Sequence, residues 1–159
     1  MNGRVLVVDD EDVVIRSCRR ILSDSGFEVD AATDGSAALE KIGQHEFDVV
    51  LLDIMMPGID GVEVLRRIKE DHPQVEVVMI TGRAQIDTAV RSMKLGAFDY
   101  LPKPFAPDEL RLTVERAFER RLLLQENLNL RDKVDARYRS ENAIGNSGAM
   151  QEVFRLVAQ

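Results

Sequence analysis

Short uninterrupted apolar runs alternate with helix-spaced apolar stripes along most of this chain, and no other feature limits the fold as much. Val5-Leu6-Val7-Val8 is apolar at every position, the pattern of a strand buried on both faces. Val14, Cys18, Ile21 and Leu22 then recur at helical spacing until Gly26, a natural residue just past a helix end. Phe27 to Ala32 reads as a second strand. Ser36 is placed to cap a helix burying Ala38, Leu39 and Ile42. Val49-Val50-Leu51-Leu52 is a third strand, followed by a helix marked by Val62, Leu65 and Ile68, with Pro73 beyond its end. Val75 to Ile80 is the fourth strand. Ile86, Ala89, Val90 and Met93 mark a fourth helix, closed by Gly96, and Asp99-Tyr100-Leu101 is a short fifth strand. A last helix starts near Pro107-Asp108, with Pro in its first turn. Strands alternating with helices predict an α/β fold: a five-stranded parallel, doubly wound sheet with helices on both faces.

The chain has 159 residues, which suits one domain plus an appendage. A net charge of -7 disfavours direct nucleic-acid binding, which needs clustered Lys and Arg, and favours cations instead. Cys18 is the single cysteine, so no internal disulfide is expected, in keeping with a reducing cytoplasm. No apolar run reaches membrane-spanning length, and the residues after Met1 lack a signal-peptide core. A cytoplasmic protein without membrane contact is expected.

From Asp108 to Asn142 no Gly or Pro interrupts the chain, enough for about 50 Å of helix. Leu123, Asn127, Leu130 and Val134 recur at heptad spacing, a seam with one polar position of the kind that fixes register in two-stranded coils. The seam predicts a homodimeric linker. A second stripe, Ala117, Leu124 and Leu128, competes with it, and a helix lying on its own domain is the alternative. After Asn142 the texture changes. Ile144-Gly145-Asn146-Ser147-Gly148 reads as a loop, and Ala149 to Gln159 as a helix. The organisation expected is a domain over 1–120, a helical linker over 121–141, and the start of another domain over 142–159.

In open parallel sheets ligands bind at the carboxyl ends of the strands. Asp9 and Asp10 follow the first strand and Asp53 ends the third. Three close carboxylates repel unless a cation sits among them, and oxygen ligands of this kind suit Mg²⁺. Thr81 ends the fourth strand with a hydroxyl donor, and Lys103 follows the fifth with a compact positive charge. Together these residues offer what a phosphoryl group on a carboxylate needs. Helix-terminal acids are the plainer account of residues after a strand, and it suits Glu11 and Asp12. It leaves Asp53, Thr81 and Lys103 unexplained.

Over roughly its first 120 positions the chain resembles the receiver domain of two-component response regulators, a flavodoxin-like fold. The strings that carry the resemblance are Val7-Val8-Asp9-Asp10-Glu11, Asp53 through Gly61, Thr81-Gly82 and Lys103-Pro104-Phe105. It implies that Asp53 accepts phosphate from a sensor histidine kinase. Asp10, Asp53 and the Met55 carbonyl would be direct Mg²⁺ ligands, with Asp9 acting through a metal-bound water. Thr81 and Lys103 would contact phosphoryl oxygens, Thr81 and Tyr100 would form a switch, and Lys103-Pro104 would be cis. Gly61 is expected to supply a positive-φ loop conformation.

The string Gly96 through Phe105 looks like receivers of the nitrogen-regulation class, which precede an ATPase activating the sigma-54 form of RNA polymerase. Ile144 through Gln151 resembles the opening of that ATPase. No G-x-x-x-x-G-K-[ST] loop occurs in the sequence, so no ATPase activity is expected from it. Contact with sigma-54 polymerase would run only through that missing domain. The alternative function is an aspartate-nucleophile, Mg²⁺-dependent phosphohydrolase using Asp9 after the first strand.

Overall fold

The computed structural model describes residues 2–82 and 85–144, with side chains of the final helix described as far as residue 130, residue 129 excepted. Residues 145–159, which hold all but the first residue of the string resembling an ATPase opening and the helix expected over 149–159, lie outside the described residues. Among the described residues five strands and five helices alternate: β1 (Arg4–Val8), α1 (Asp12–Asp24), β2 (Glu28–Ala32), α2 (Gly35–Gln44), β3 (Val49–Asp53), α3 (Gly61–Asp71), β4 (Glu76–Thr81), α4 (Ile86–Lys94), β5 (Asp99–Pro102) and α5 (Pro107–Ile144). All pairings are parallel and the strand order is β2-β1-β3-β4-β5.

The continuous apolar runs are explained by burial on both sides. Along the central strands, Leu6, Val8, Val50, Leu52, Val77 and Met79 enter a core with Ala38, Ile42, Val64, Leu65, Ile68 and Ala89 of α2, α3 and α4. The alternate residues Val5, Val7, Val49, Leu51, Val78 and Ile80 meet Ile15, Cys18 and Leu22 of α1 and Leu110, Val114 and Phe118 of α5. Phe118 packs edge-on to Phe27, with ring centroids 5.5 Å apart. The order reverses direction between β1 and β3, so a crevice opens at their carboxyl ends.

The helix starts depart from the sequence reading in one respect. Asp34, not Ser36, caps α2: its Oδ1 accepts from the Ala37 N–H at 2.8 Å. Ser36 lies one residue inside the helix and so cannot cap it. Asp60 caps α3 in the same way, accepting from the Glu63 N–H at 2.9 Å. Asp60→Ala is expected to lower unfolding free energy by about 1 kcal/mol in urea titration. An unchanged midpoint would remove the cap from the account of this helix start.

Of the stripe read for α4, only Ala89 faces the core. Only Ala89 and Ser92 of this helix are buried, while Ile86, Val90 and Met93 are exposed. Small residues seat the helix, and the larger apolar ones are left on the surface.

Contacts divide the chain into a unit ending at Leu122 and a second beginning at Leu123. Residues 121–141, expected to form the linker, fall within α5. Of the proposed seam, Leu123, Asn127 and Leu130 are exposed. The side chain of Val134 lies outside those described. Of the competing stripe, Ala117 is buried in the first unit and Leu128 is exposed.

Candidate functional site

Strand register sets the site. β1 pairs with β3 through Val8↔Leu52, which puts Asp9 beside Asp53. β3 pairs with β4 through Asp53↔Ile80, so Thr81 follows directly alongside. β4 pairs with β5 through Thr81↔Pro102, and the Lys103 N–H donates to the Thr81 carbonyl at 2.7 Å. The Lys103-Pro104 peptide is cis, as the resemblance implied.

The acids converge. Asp9, Asp10 and Asp53 each offer a carboxylate oxygen, and these atoms lie within 4.8 Å of one another. Asp9 is fully buried and Asp53 is 6% exposed, whereas Asp10 is open to solvent. Lys103 Nζ stands 2.9 Å from Asp9 Oδ2, 3.6 Å from Asp53 Oδ2 and 3.7 Å from Glu11 Oε1. Glu11 N–H also donates to Asp9 Oδ1 at 2.9 Å. Sequence reasoning assigned Glu11 only to the helix start. Its place in the motif string was the available signal for its reach to Lys103.

Asp53 is pushed up to about 6 from an ordinary 3.8. Burial is the main cause and the Asp9 charge the next; Lys103 and the Met55 N–H pull the other way, and Asp10 adds to the rise. Lys103 is held above its usual range. Burial opposes its charge, but Asp9, then Asp53 and Glu11, outweigh that. Cys18 lies in the apolar layer below, its thiol pushed up to about 12 by burial and then by Asp9. It is a packed, unreactive thiol.

One buried Asp9 oxygen, Oδ2, has charge pairing with Lys103 but, among the described residues, no aligned hydrogen bond. A buried carboxylate oxygen left so, beside two more carboxylates, fits a hard divalent cation with oxygen ligands. The Thr81 hydroxyl is buried and donates to the Gly82 carbonyl at 2.9 Å. Tyr100 is half-buried against the core formed with α2, α3 and α4. The Met55 side chain is exposed, and its N–H donates to Asp53 Oδ1 at 3.4 Å.

Gly61 corrects an expectation. The positive-φ glycine in its loop is Gly58, at φ 82°. A Cβ at Gly61 would collide with the Asp53 carbonyl oxygen and lie 2.8 Å from Ile54 Cα. Space, not φ, requires glycine there.

A parallel sheet with three acids, a threonine and a lysine at neighbouring strand ends defines a phosphoryl-accepting signalling module. The chain matches the response regulator receiver domain over residues 5–115, and it belongs to that family. It is 38% identical over 157 residues to the DNA-binding transcriptional regulator NtrC of Escherichia coli (strain K12), covering 99% of this chain and 33% of the relative. It is 35% identical over 157 residues to the regulatory protein AtoC of the same strain, covering 99% of this chain and 34% of the relative. Among solved structures it is similar to NtrX from Brucella abortus in complex with ADP, with a TM-score of 0.78 and 38% identity over 99% of this chain and 34% of that one. The receiver domain of NtrX from Brucella abortus gives a TM-score of 0.68 at 45% identity, over 72% of this chain and 98% of that one. The chain thus spans about a third of the length of these curated relatives. The flavodoxin-like receiver fold is established. The phosphohydrolase alternative is not favoured, since the family matched is the response regulator receiver domain and the relatives are regulators. Among the described residues, no helix is long and apolar enough to cross a membrane.

Proposed function

We propose that Asp53 is the phosphoacceptor of this receiver and that a sensor histidine kinase is the donor. The observation that carries the reading is the convergence of Asp9, Asp10 and Lys103 on Asp53 at the carboxyl edge of the sheet. An Asp53 carboxylate oxygen attacks phosphorus while the bond from phosphorus to the donor imidazole nitrogen breaks. Asp10, Asp53 and the Met55 carbonyl would hold Mg²⁺, with Asp9 acting through a bound water. When bound, the ion supplies positive charge that offsets the carboxylates and the transferring phosphoryl oxygens. Lys103 neutralises a further phosphoryl oxygen, and the Thr81 hydroxyl exchanges its Gly82 carbonyl for another. That exchange, with Tyr100 following inward, is the switch. Hydrolysis of the acyl phosphate within the same site returns the domain to rest.

The exposed apolar residues of α4, with β5, α5 and the linker seam Leu123, Asn127, Leu130 and Val134, form the homodimer contact in this reading. The domain boundaries proposed are 1–120 for the receiver, 121–141 for the linker and 142–159 for the opening of a sigma-54-type ATPase. The receiver would control such an ATPase, in a cytoplasmic transcription activator, by switching the dimer state. The relative named as a DNA-binding transcriptional regulator supports the part in transcription, and the string from Gly96 to Phe105 supports the ATPase class.

Acetyl phosphate with Mg²⁺ is expected to add one phosphoryl group per chain by intact mass, mapped to the peptide holding residue 53. Chelation of divalent ions is expected to slow labelling at least about 100-fold, given the charge to be neutralised. Label on another residue, or full labelling without a divalent ion, would sink the assignment.

A further inference from the structure

The amino end of the sheet, opposite the acidic pocket, holds a second cluster of buried charge. Glu76 opens β4 and is 2% exposed, and among the described residues its Oε2 has no hydrogen-bond donor. Arg120 of α5 brings Nη1 to 3.8 Å from that oxygen. The same guanidinium stands over the Phe98 ring, 5.9 Å from its centroid. The neighbouring Arg121 is 7% exposed. Its Nη1 donates to Gln74 Oε1 at 3.1 Å, and its Nε lies 3.5 Å from Asp48 Oδ1. Asp48 is itself fixed, because its Oδ2 accepts from the Arg4 N–H at 2.9 Å.

Buried ion pairs with incomplete hydrogen bonding add little net stability, because desolvation offsets the attraction. What such pairs fix is geometry. The two arginines fix different things. Arg121 is enclosed and tied to the loops before β3 and β4. Arg120 is half exposed, holds its carboxylate at a distance, and touches two segments that lead to the phosphoacceptor side. Glu76 begins the strand that ends in Thr81. Phe98 lies between α4 and β5, and its N–H donates to the Val77 carbonyl at 2.7 Å. α4 buries only Ala89 and Ser92 and so is lightly seated. A shift of the α4–β5 turn therefore moves one of Arg120's two contacts while Arg121 stays anchored.

We propose that Arg120 is the positioning residue that couples the α4–β5 side of the receiver to the turns of α5 around it, with Arg121 as the fixed anchor on Asp48 and Gln74. The proposal rests on the reading of Asp53 as phosphoacceptor. It assigns the amino end of the sheet a part in signal transfer, where the phosphoryl site itself has no reach.

Backbone hydrogen exchange across residues 114–122 of the full chain, with Mg²⁺ and with or without beryllofluoride, tests it. Fluorine NMR of bound beryllofluoride is followed in parallel. In the wild type, beryllofluoride is expected to change exchange in this segment by about threefold or more. Arg120→Ala is expected to bind beryllofluoride within about twofold of wild type and to lose that response. Glu76→Gln, which removes the counter-charge while keeping the shape, is expected to weaken the response in the same direction and serves if the alanine variant does not fold. Two results overturn the coupling while leaving Asp53 intact. One is a wild-type segment indifferent to bound beryllofluoride. The other is Arg120→Ala responding as the wild type does. A wild type that shows no bound fluoride signal brings down the phosphoacceptor reading and this inference together.

Discussion

Asp53→Asn is expected to reduce acetyl-phosphate labelling at least about 100-fold and, at the same time, to raise the melting temperature of the metal-free protein. The first effect follows from losing the nucleophilic carboxylate. The second follows from the environment that makes the carboxylate useful. Burial and the Asp9 charge lift Asp53 from 3.8 to about 6, so the folded state binds this proton more tightly than the unfolded chain. The stability contributed by Asp53 is therefore complete below about pH 3.8, falls as pH rises, and is lost above about pH 6. At neutral pH the ionised side chain costs on the order of 1–3 kcal/mol. An amide of the same shape carries no charge and escapes that cost, which corresponds to a gain of roughly 3–8 °C at pH 7.5 in a chelator. Near pH 4 the gain is expected to vanish. Mg²⁺ is expected to narrow the difference, because it stabilises the ionised wild type and not the amide. An asparagine variant less stable than wild type at pH 7.5 without metal would refute the electrostatic account of the pocket, whatever its labelling.

The strands were legible in the sequence because they are buried on both faces. Residues such as Val5 to Val8 and Val49 to Leu52 need no periodicity to declare themselves, and their observed ends fall within a residue of those expected. The acidic pocket was legible for a topological reason. Parallel strands bring their carboxyl ends to one edge, so Asp9, Asp10, Asp53, Thr81 and Lys103 meet there once the strands are placed. Facing was harder to read. The stripe Ile86, Ala89, Val90 and Met93 gives the helical period of α4 but not which of its members meet the sheet. The small residues Ala89 and Ser92 decide that, and they carry a weak hydrophobic signal. Local signals also failed where the partner is distant in sequence. Arg121 finds Gln74, 47 residues away, and nothing around residue 121 announces it. The role of Gly61 is hidden in the sequence because a glycine signals either backbone freedom or lack of space, and the sequence does not separate the two.

That ambiguity leads to the second large effect. Gly61→Ala is expected to destabilise the domain by on the order of 2–4 kcal/mol and to slow labelling of Asp53 by about 10–100-fold. Alanine normally favours a helix over glycine by up to about 1 kcal/mol, and Gly61 is the first residue of α3. A net loss therefore reports the clash and not the helix. The added methyl would strike the Asp53 carbonyl oxygen and crowd Ile54 Cα, both backbone atoms with no rotamer to yield. The end of β3 is pinned in turn, because the Ile54 N–H donates to the Ile80 carbonyl at 3.1 Å. Either α3 retreats from the strand or Asp53 moves relative to Lys103 and the other acids. Gly58→Ala gives the contrast three residues away. It has a positive φ but open space around the added carbon. It is expected to cost about 1–2 kcal/mol in backbone strain while leaving the labelling rate within about threefold of wild type. Urea titration and labelling time courses on both variants separate the cases. Equal labelling defects at the two positions would mean that loop conformation, and not the close approach of Gly61 to the strand end, holds the phosphoacceptor in place.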